Sequence, residues 1–213
     1  MTMEEEKKKA EPPQTFNDQL RRWVHPVLDP IVTILAGWGL SPNGLTIVGT
    51  LGHILSAWLL ATGQITYAGF SLLVIAPLDV FDGALARKLA LDQGGFGAFL
   101  DSTFDRFAEI VLFGGFIYYY HQVGDVDLIL LAYAAMGGSL MVSYTRARAE
   151  GLGFDCKVGL LGRFERYVLL IIFLILNLPV LCLIILVIFT YMTAGQRIIH
   201  VWRKARERVA GGA

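Results

Sequence analysis

Hydrophobic residues form long runs over most of the chain, and polar residues cluster at the ends of those runs. Six runs are long enough to cross a membrane as helices, at residues 43–62, 65–88, 95–120, 126–149, 163–177 and 179–202. About 20 helical residues span a hydrocarbon core of ~30 Å, so the fifth run is short for a span and the third and fourth are long. The pattern predicts an all-α integral membrane protein with six transmembrane helices.

The first 40 residues have a different pattern. Residues 1–15 are polar and contain no apolar core, which predicts a disordered tail and not a signal peptide. Residues 16–40 mix apolar and charged positions at helical spacing, which is typical of an amphipathic helix in the membrane interface. We therefore predict a tail at 1–15, an interfacial helix at 16–40, a six-helix domain at 41–205 and a cytoplasmic tail at 206–213.

The distribution of basic residues predicts the orientation of the spans. The chain has 18 Lys and Arg and 18 Asp and Glu, so its net charge carries little information. The basic residues lie in the N-terminal segments, around the second and fourth connections, and at the C-terminus. The first, third and fifth connections have none. The positive-inside rule then places both termini and the second and fourth connections in the cytoplasm.

Four aspartates flank the second connection, at Asp79, Asp82, Asp101 and Asp105. Spacings of three and four residues put each pair on one face of a helix. A carboxylate near bilayer depth costs about 2.5–3.5 kcal/mol, so such acids indicate a functional site. Oxygen ligands suit Mg²⁺ or Mn²⁺, which commonly act with substrate phosphates. The residues predict a divalent-cation site, although solvated helix-end charges are the simpler structural alternative.

The stretch from Asp79 to Asp105 resembles the signature of the CDP-alcohol phosphatidyltransferases. The matching positions are Asp79, Asp82, Gly83, Ala86, Arg87, Gly97, Asp101 and Asp105. The spacer at 88–96 has nine residues, one more than the usual form of the signature. The SPNGLT stretch at 41–46 also resembles the family's sequence before its first span.

The resemblance implies transfer of a phosphatidyl-type group from a CDP-linked lipid to an alcohol, with release of CMP. It implies that Asp79, Asp82 and Asp101 bind two divalent ions and that Asp105 is both a ligand and the general base. It also implies a homodimer, and a group of residues that binds the CDP-lipid: Asn43, Thr46, Gly83, Ala86, Arg87 and Gly97.

A second polar stretch, at 143–166, bears on the acceptor alcohol. Its arginines at Arg146, Arg148, Arg163 and Arg166 suit phosphate oxygens, because guanidinium is a rigid fork of donors. Positive-inside charge accounts for some of them. The stretch resembles the corresponding segment of phosphatidylinositol phosphate synthases and their archaeal ether-lipid relatives, with Arg146 where those have Lys. It therefore favours inositol 1-phosphate as the acceptor, with CDP-diacylglycerol or an ether-lipid analogue as the donor.

Other functions fit parts of the pattern. Glycerol 3-phosphate is an alternative acceptor, because it needs a similar arginine cluster. A cation transporter would use the intramembrane acids, but it needs polar residues across the full membrane depth, and these acids lie at one side. An inactive structural protein leaves the carboxylates unexplained, and no feature indicates nucleic-acid binding. Gly114-Gly115 and Gly137-Gly138 predict close helix packing, within one chain or between two.

Overall fold

The computed structural model of the chain describes residue 30, residues 32–89 and residues 95–211, except for the side chain of Asp79. Within them, seven helices have defined bounds: α1 Pro42–Ala61, α2 Ile65–Ile75, α3 Leu78–Lys88, α4 Phe96–Val123, α5 Val126–Gly151, α6 Arg163–Ile175 and α7 Pro179–Ala210. Residues 32–37 are also helical, and these described residues form no strand. The predicted tail at 1–15 and most of the interfacial helix at 16–40 lie outside the described residues.

The prediction of an all-α protein is confirmed for the described residues, and four stretches, where six were predicted, have the length and composition of membrane spans. Four stretches of the described chain are long and apolar enough to cross a bilayer: Pro42–Ala61, Ile65–Lys88, Val126–Gly151 and Pro179–Ala210. The helix α4 has 28 residues but carries several charges, and α6 has only 13 residues. The architecture is therefore that of a multi-pass membrane protein.

The predicted second span is not one continuous helix. It divides into α2, which ends at Ile75, and α3, which begins at Leu78. Pro77 lies at the break. Proline has no N–H to donate and its ring clashes with the preceding helical turn, so the helix is interrupted there. The predicted span over 65–88 remains one stretch long and apolar enough to cross a bilayer, with an interruption at Pro77. The break makes α3 a separate short helix, and this helix carries Asp79 and Asp82.

The three connections without Lys or Arg are tight, as their sequences predict. Gly63 and Gly124 take positive φ angles of 78° and 80°, and Asn177 takes 56°. Glycine adopts this left-handed conformation without a steric penalty, and asparagine tolerates it better than most residues. Asp125 caps α5 by accepting a hydrogen bond from the Leu128 amide at 3.0 Å. Consecutive long helices are thereby forced to run in opposite directions.

The helices pack around one main apolar core, with contributions from α1, α2, α4, α5, α6 and α7. The most extensive contacts join α1 to α4 and α5 to α7. Two glycines make these contacts close. A Cβ on Gly115 would lie 2.5 Å from the Ala57 carbonyl oxygen, and one on Gly138 would collide with Thr190. Packing within the chain therefore accounts for both glycines.

A smaller apolar cluster supports the predicted cation site. Val32, Leu45 and Leu85 are buried together, with side chains of α3 packed around them. The cluster joins the helical segment at 32–37 to the start of α1 and to α3. It therefore anchors α3, the helix that carries Asp82.

Candidate active site

The start of α1 lies against α3 and positions one of the predicted aspartates. Ser41 caps α1 by accepting a hydrogen bond from the Gly44 amide at 3.1 Å, and Pro42 opens the helix. One turn later the Thr46 hydroxyl donates to Asp82 Oδ2 at 2.7 Å. Asp82 is only 3% exposed. Two residues predicted from separate stretches, Thr46 and Asp82, are thus in direct contact.

The start of α4 brings the second aspartate pair and Gly97 to the same region. Gly95 precedes the helix with a positive φ of 69°, and α4 begins at Phe96. The Cα of Gly97 faces the Asn43 side chain, since a Cβ there would lie 4.0 Å from Asn43 Oδ1. Asp105 is buried on the helix face that meets the rest of the bundle. The ends of α1, α3 and α4 therefore converge.

Arg163, at the first position of α6, reaches the predicted general base. Its Nη1 lies 2.5 Å from Asp105 Oδ2, and its guanidinium lies 5.3 Å from the ring centre of Tyr167. Arg106 also approaches Asp105 Oδ2, at 3.5 Å. Both contacts are charge-assisted. The structure thus joins a residue of the aspartate stretch to a residue of the predicted acceptor stretch.

Arg166, one turn further along α6, forms a buried ion pair. Its Nη2 lies 2.5 Å from Glu109 Oε1, and both side chains are 2–3% exposed. The same nitrogen lies 3.5 Å from the Ser143 hydroxyl of α5. Within the described residues, Arg166 Nε and Nη1 are buried and have no hydrogen-bond partner. The guanidinium therefore keeps donors for a further acceptor, but solvent does not reach it in this conformation.

The other two predicted acceptor residues lie at the exposed end of α5. Arg146 donates to Glu150 Oε1 at 2.8 Å, with both side chains nearly half exposed. Arg148 is exposed in the last turn of the same helix. The four arginines are therefore divided. Arg163 contacts Asp105, Arg166 is buried beside Glu109, and Arg146 and Arg148 face outward.

The remaining signature residues lie on α3. Gly83 and Ala86 are partly buried, and Arg87 is exposed. A Cβ on Gly83 would lie 3.5 Å from Arg87 Nη1, so the guanidinium folds back over the glycine. Next to it, Lys88 donates a hydrogen bond to Thr33. The C-terminal end of α3 therefore carries two cations, of which Arg87 lies over Gly83.

The oxygen donors of this region fit a hard divalent cation. Asp82 Oδ1 and Asp101 Oδ1 are both buried. Carboxylate oxygens without nearby Cys or His ligands suit Mg²⁺ or Mn²⁺. Among the side chains that the structure describes, which leave out that of Asp79, no three acidic, His or Cys groups already converge as ligands. The carboxylate oxygens therefore suit a divalent cation, but those that the structure describes do not already converge on one point.

Sequence reasoning missed two charged residues of this region, Glu109 and Arg197. Glu109 follows Asp105 by four residues and so continues the spacing of Asp101 and Asp105 along one helix face. Arg197 lies inside the predicted last span and is only 5% exposed; it donates to the carbonyls of Val142 and Val158. A charge within a membrane span was the available signal in both cases.

Comparison with known proteins shows the family of the chain. The CDP-alcohol phosphatidyltransferase family model matches residues 39–201. An uncharacterized protein of Aquifex aeolicus is 37% identical over 89% of this chain and 95% of its own length. The archaetidylinositol phosphate synthase of Methanothermobacter thermautotrophicus is 30% identical over 90% and 94%. The phosphatidylinositol phosphate synthase of Streptomyces avermitilis is 32% identical over 93% and 87%.

Solved structures of one relative share the fold. Phosphatidylinositol phosphate synthase of Mycobacterium tuberculosis, with CDP-DAG bound, has a TM-score of 0.76 at 27% identity, covering 83% of this chain and 94% of that one. The same enzyme in complex with manganese and citrate has a TM-score of 0.73, covering 82% and 88%.

The chain belongs to the CDP-alcohol phosphatidyltransferase family. It is therefore a membrane transferase of a family that uses divalent metal ions, as the aspartate stretch predicts.

Proposed function

We propose that this protein transfers a phosphatidyl or archaetidyl group from a CDP-linked lipid to a hydroxyl of inositol 1-phosphate, releasing CMP. The observation that carries the proposal is the 2.5 Å contact between Arg163 and Asp105. It puts a guanidinium suited to an acceptor phosphate beside the carboxylate suited to the acceptor's hydroxyl proton. The names of the archaeal and bacterial relatives support the choice of acceptor.

The donor nucleotide would lie where α1, α3 and α4 converge. Asn43 and Gly97 face each other there, and Thr46 contacts Asp82. Gly83 and Ala86 leave room for a close approach of the donor, and Arg87 lies over Gly83, where its charge would meet a phosphate. The CDP-DAG bound to the mycobacterial relative supports a donor of this kind.

Asp79, Asp82, Asp101 and Asp105 would hold two divalent cations, Mg²⁺ or Mn²⁺. Bound cations would offset the negative charge of the pyrophosphate and of the leaving phosphate. The Thr46 hydroxyl orients the Asp82 carboxylate by donating to Oδ2, which leaves Oδ1 directed elsewhere. The manganese in the relative's crystal structure supports this use of the aspartates.

Asp105 would take the proton from the attacking hydroxyl. The acceptor oxygen then bonds to the lipid-side phosphorus, and the bond from that phosphorus to the bridging oxygen breaks, so that CMP leaves with that oxygen. Arg163 would bind the acceptor phosphate and hold the hydroxyl near Asp105. Arg166, held by its ion pair with Glu109, would support Arg163. Arg146 and Arg148 would attract the acceptor at the exposed, C-terminal end of α5.

The membrane arrangement belongs to the same proposal. The helices α2 and α3 together would form the second of six spans, and α1, α4, α5, α6 and α7 would form the other five. An interfacial helix would precede them, and the site would lie on the cytoplasmic side. The lipid tails of the donor would then remain in the bilayer while its headgroup reacts in water. A homodimer is proposed from the family resemblance.

The decisive experiment is CMP release by the purified protein with Mg²⁺ and CDP-diacylglycerol. Inositol 1-phosphate, glycerol 3-phosphate, free inositol and serine are supplied as separate acceptors, with an ether-lipid donor as a second series. We expect release with inositol 1-phosphate and none in excess chelator. Release only with glycerol 3-phosphate would support the CDP-lipid as donor and refute inositol 1-phosphate as acceptor.

A further inference from the structure

The connection between α5 and α6 lies along one face of α7. Residues 152–162 form no helix of their own, yet four side chains of α7 hydrogen-bond to their backbone. The four contacts are Thr193 Oγ1 with the Leu161 amide at 3.0 Å, Arg197 Nε with the Val158 carbonyl at 2.9 Å, His200 Nε2 with the Asp155 carbonyl at 3.1 Å, and Arg208 Nη2 with the Gly153 carbonyl at 3.0 Å. We call residues 152–162 the strap.

The spacing of these four side chains shows that they form one surface. Steps of four, three and eight residues return to the same side of a helix with about 3.6 residues per turn. The strap residues are contacted in the reverse order, so the strap runs antiparallel to α7. Regular matching along about four turns is unusual for an irregular connection, because such loops commonly satisfy their backbone with water.

The half of this contact nearer to α6, formed by strap residues 156–161, is tightly packed. Thr193 and Cys156 have no exposed surface, and Arg197 is 5% exposed. Gly159 takes a positive φ of 128°, and a Cβ there would lie 2.5 Å from Thr193 Cγ2. The strap can therefore approach α7 this closely only with glycine at position 159. In the other half, Arg208 also lies 4.2 Å from the ring centre of Phe154.

The strap leads directly into the proposed acceptor site. Its last anchored residue, Leu161, is two positions before Arg163, which begins α6 and contacts Asp105. A displacement of the strap would move the start of α6, and with it the guanidinium of Arg163. An error of about 1 Å in a positioned group can cost about a hundredfold in rate.

We propose that the α7 face formed by Thr193, Arg197, His200 and Arg208 is a positioning surface for acceptor recognition. By holding the strap it sets the place of Arg163, although none of the four residues lies in the donor site. This inference rests on the proposed function for the part that concerns the acceptor. The attachment of the strap itself does not depend on that function and can be measured separately.

Cys156 reports the attachment without any activity measurement. Burial raises the pKa of its thiol, and a buried thiol reacts only when its surroundings open. Cys182 is buried in the membrane part of α7 and reports unfolding of the whole bundle. Peptide mass spectrometry after timed N-ethylmaleimide treatment follows each cysteine by itself.

The test variant is Gly159→Ala, and Gly151→Ala is its matched control. Both glycines lie at the α5–α6 connection, but a Cβ on Gly151 would meet nothing within 4 Å. We expect Gly159→Ala to speed Cys156 labelling by about tenfold or more through local opening, with Cys182 unchanged. It should also raise KM for inositol 1-phosphate and leave KM for the CDP-lipid unchanged. Gly151→Ala should match the wild type in both measurements.

Two results would overturn the inference. Unchanged Cys156 labelling in Gly159→Ala would show that α7 does not hold the strap. Faster Cys156 labelling with both KM values unchanged would show that the strap does not position the acceptor site. If Cys182 labelling also rises, the Gly159→Ala variant has unfolded as a whole. His200→Ala then replaces it as the test variant and is judged by the same two measurements. Absence of wild-type turnover with inositol 1-phosphate would refute the proposed function alone, because the labelling result is independent of it.

Discussion

Two ion pairs of different burial join α4 to α6. Asp105 with Arg163 lies at the edge of the candidate site, where Arg163 is 27% exposed, and Glu109 with Arg166 lies inside the bundle. A charge in an apolar interior is stable only when it is paired, so each partner of the inner pair depends on the other. The inner pair thus holds the two helices together, while the outer pair is open to exchange with a substrate.

Removing one partner of the inner pair should destabilise the protein far more than removing an exposed arginine. We expect Arg166→Ala to lower the free energy of unfolding by about 3–5 kcal/mol, because it leaves Glu109 buried and unpaired. Arg146→Ala removes an exposed pair and should cost about 0.3–0.5 kcal/mol. Unfolding in mixed micelles measures both. Equal losses would contradict the distinction drawn from burial.

Substitution of the proposed base should remove turnover without removing the fold. Asp105→Asn keeps an oxygen that can accept from Arg163 but cannot take a proton, so we expect CMP release to fall by about 10²–10⁴-fold. Binding of the CDP-lipid, followed by calorimetry, should remain. Ser102→Ala, on the exposed face of the same helix, is the control and should retain activity. Turnover retained in Asp105→Asn would remove the assignment.

At the scale of helices, glycines determine which pairs approach closely. Gly114 and Gly115 are neighbours on α4, but only Gly115 faces α1, where the Ala57 backbone leaves no room for a Cβ. A Cβ on Gly114 would meet nothing within 4 Å. The α1–α4 contact holds α1, whose Thr46 contacts Asp82, against α4, which carries Asp101 and Asp105.

The two glycines therefore allow a matched comparison. Gly115→Ala should destabilise the protein by about 1–3 kcal/mol, since a rigid backbone cannot move aside as a side chain would. Gly114→Ala should leave the thermal unfolding midpoint unchanged or slightly higher, because alanine is the better helix former. Thermal unfolding in detergent measures both variants. Similar midpoints for the two variants would show that α1 and α4 are not in close contact at Gly115.

For the whole molecule, the charge distribution predicts which ends of the helices face the cytoplasm. Four of the five charged residues at 203–208 are basic, whereas the connection between α1 and α2 carries no charge. The exposed residues Thr62 and Lys204 lie in these two regions.

Cysteine labelling in cells tests that orientation. A membrane-impermeant maleimide should label Thr62→Cys in intact bacterial cells and Lys204→Cys only after permeabilisation. The native cysteines, Cys156 and Cys182, are buried and give a low background. Labelling of Lys204→Cys in intact cells would reverse the orientation and place the candidate site outside.

Much of the fold could be predicted from local pattern. Apolar runs and the tight turns between them predicted the helices between residues 42 and 210, since each is encoded within about 20–30 consecutive residues. Pro77 was visible but was not interpreted as a break, because the apolar run continues on both sides of it. The resemblance of the aspartate stretch to a known signature also indicated the family, and the family match confirms that family.

The sequence by itself determined the all-α membrane class and the family, and it predicted which aspartates carry the chemistry. Only the tertiary structure decided which charges meet. Glu109 and Arg166 are 57 residues apart, and nothing local to either predicts their contact. The same holds for the strap on α7, whose four contacts exist only because α5, α6 and α7 pack side by side. Pairing between distant residues depends on helix packing, which sums many weak contacts and leaves no short motif in the sequence.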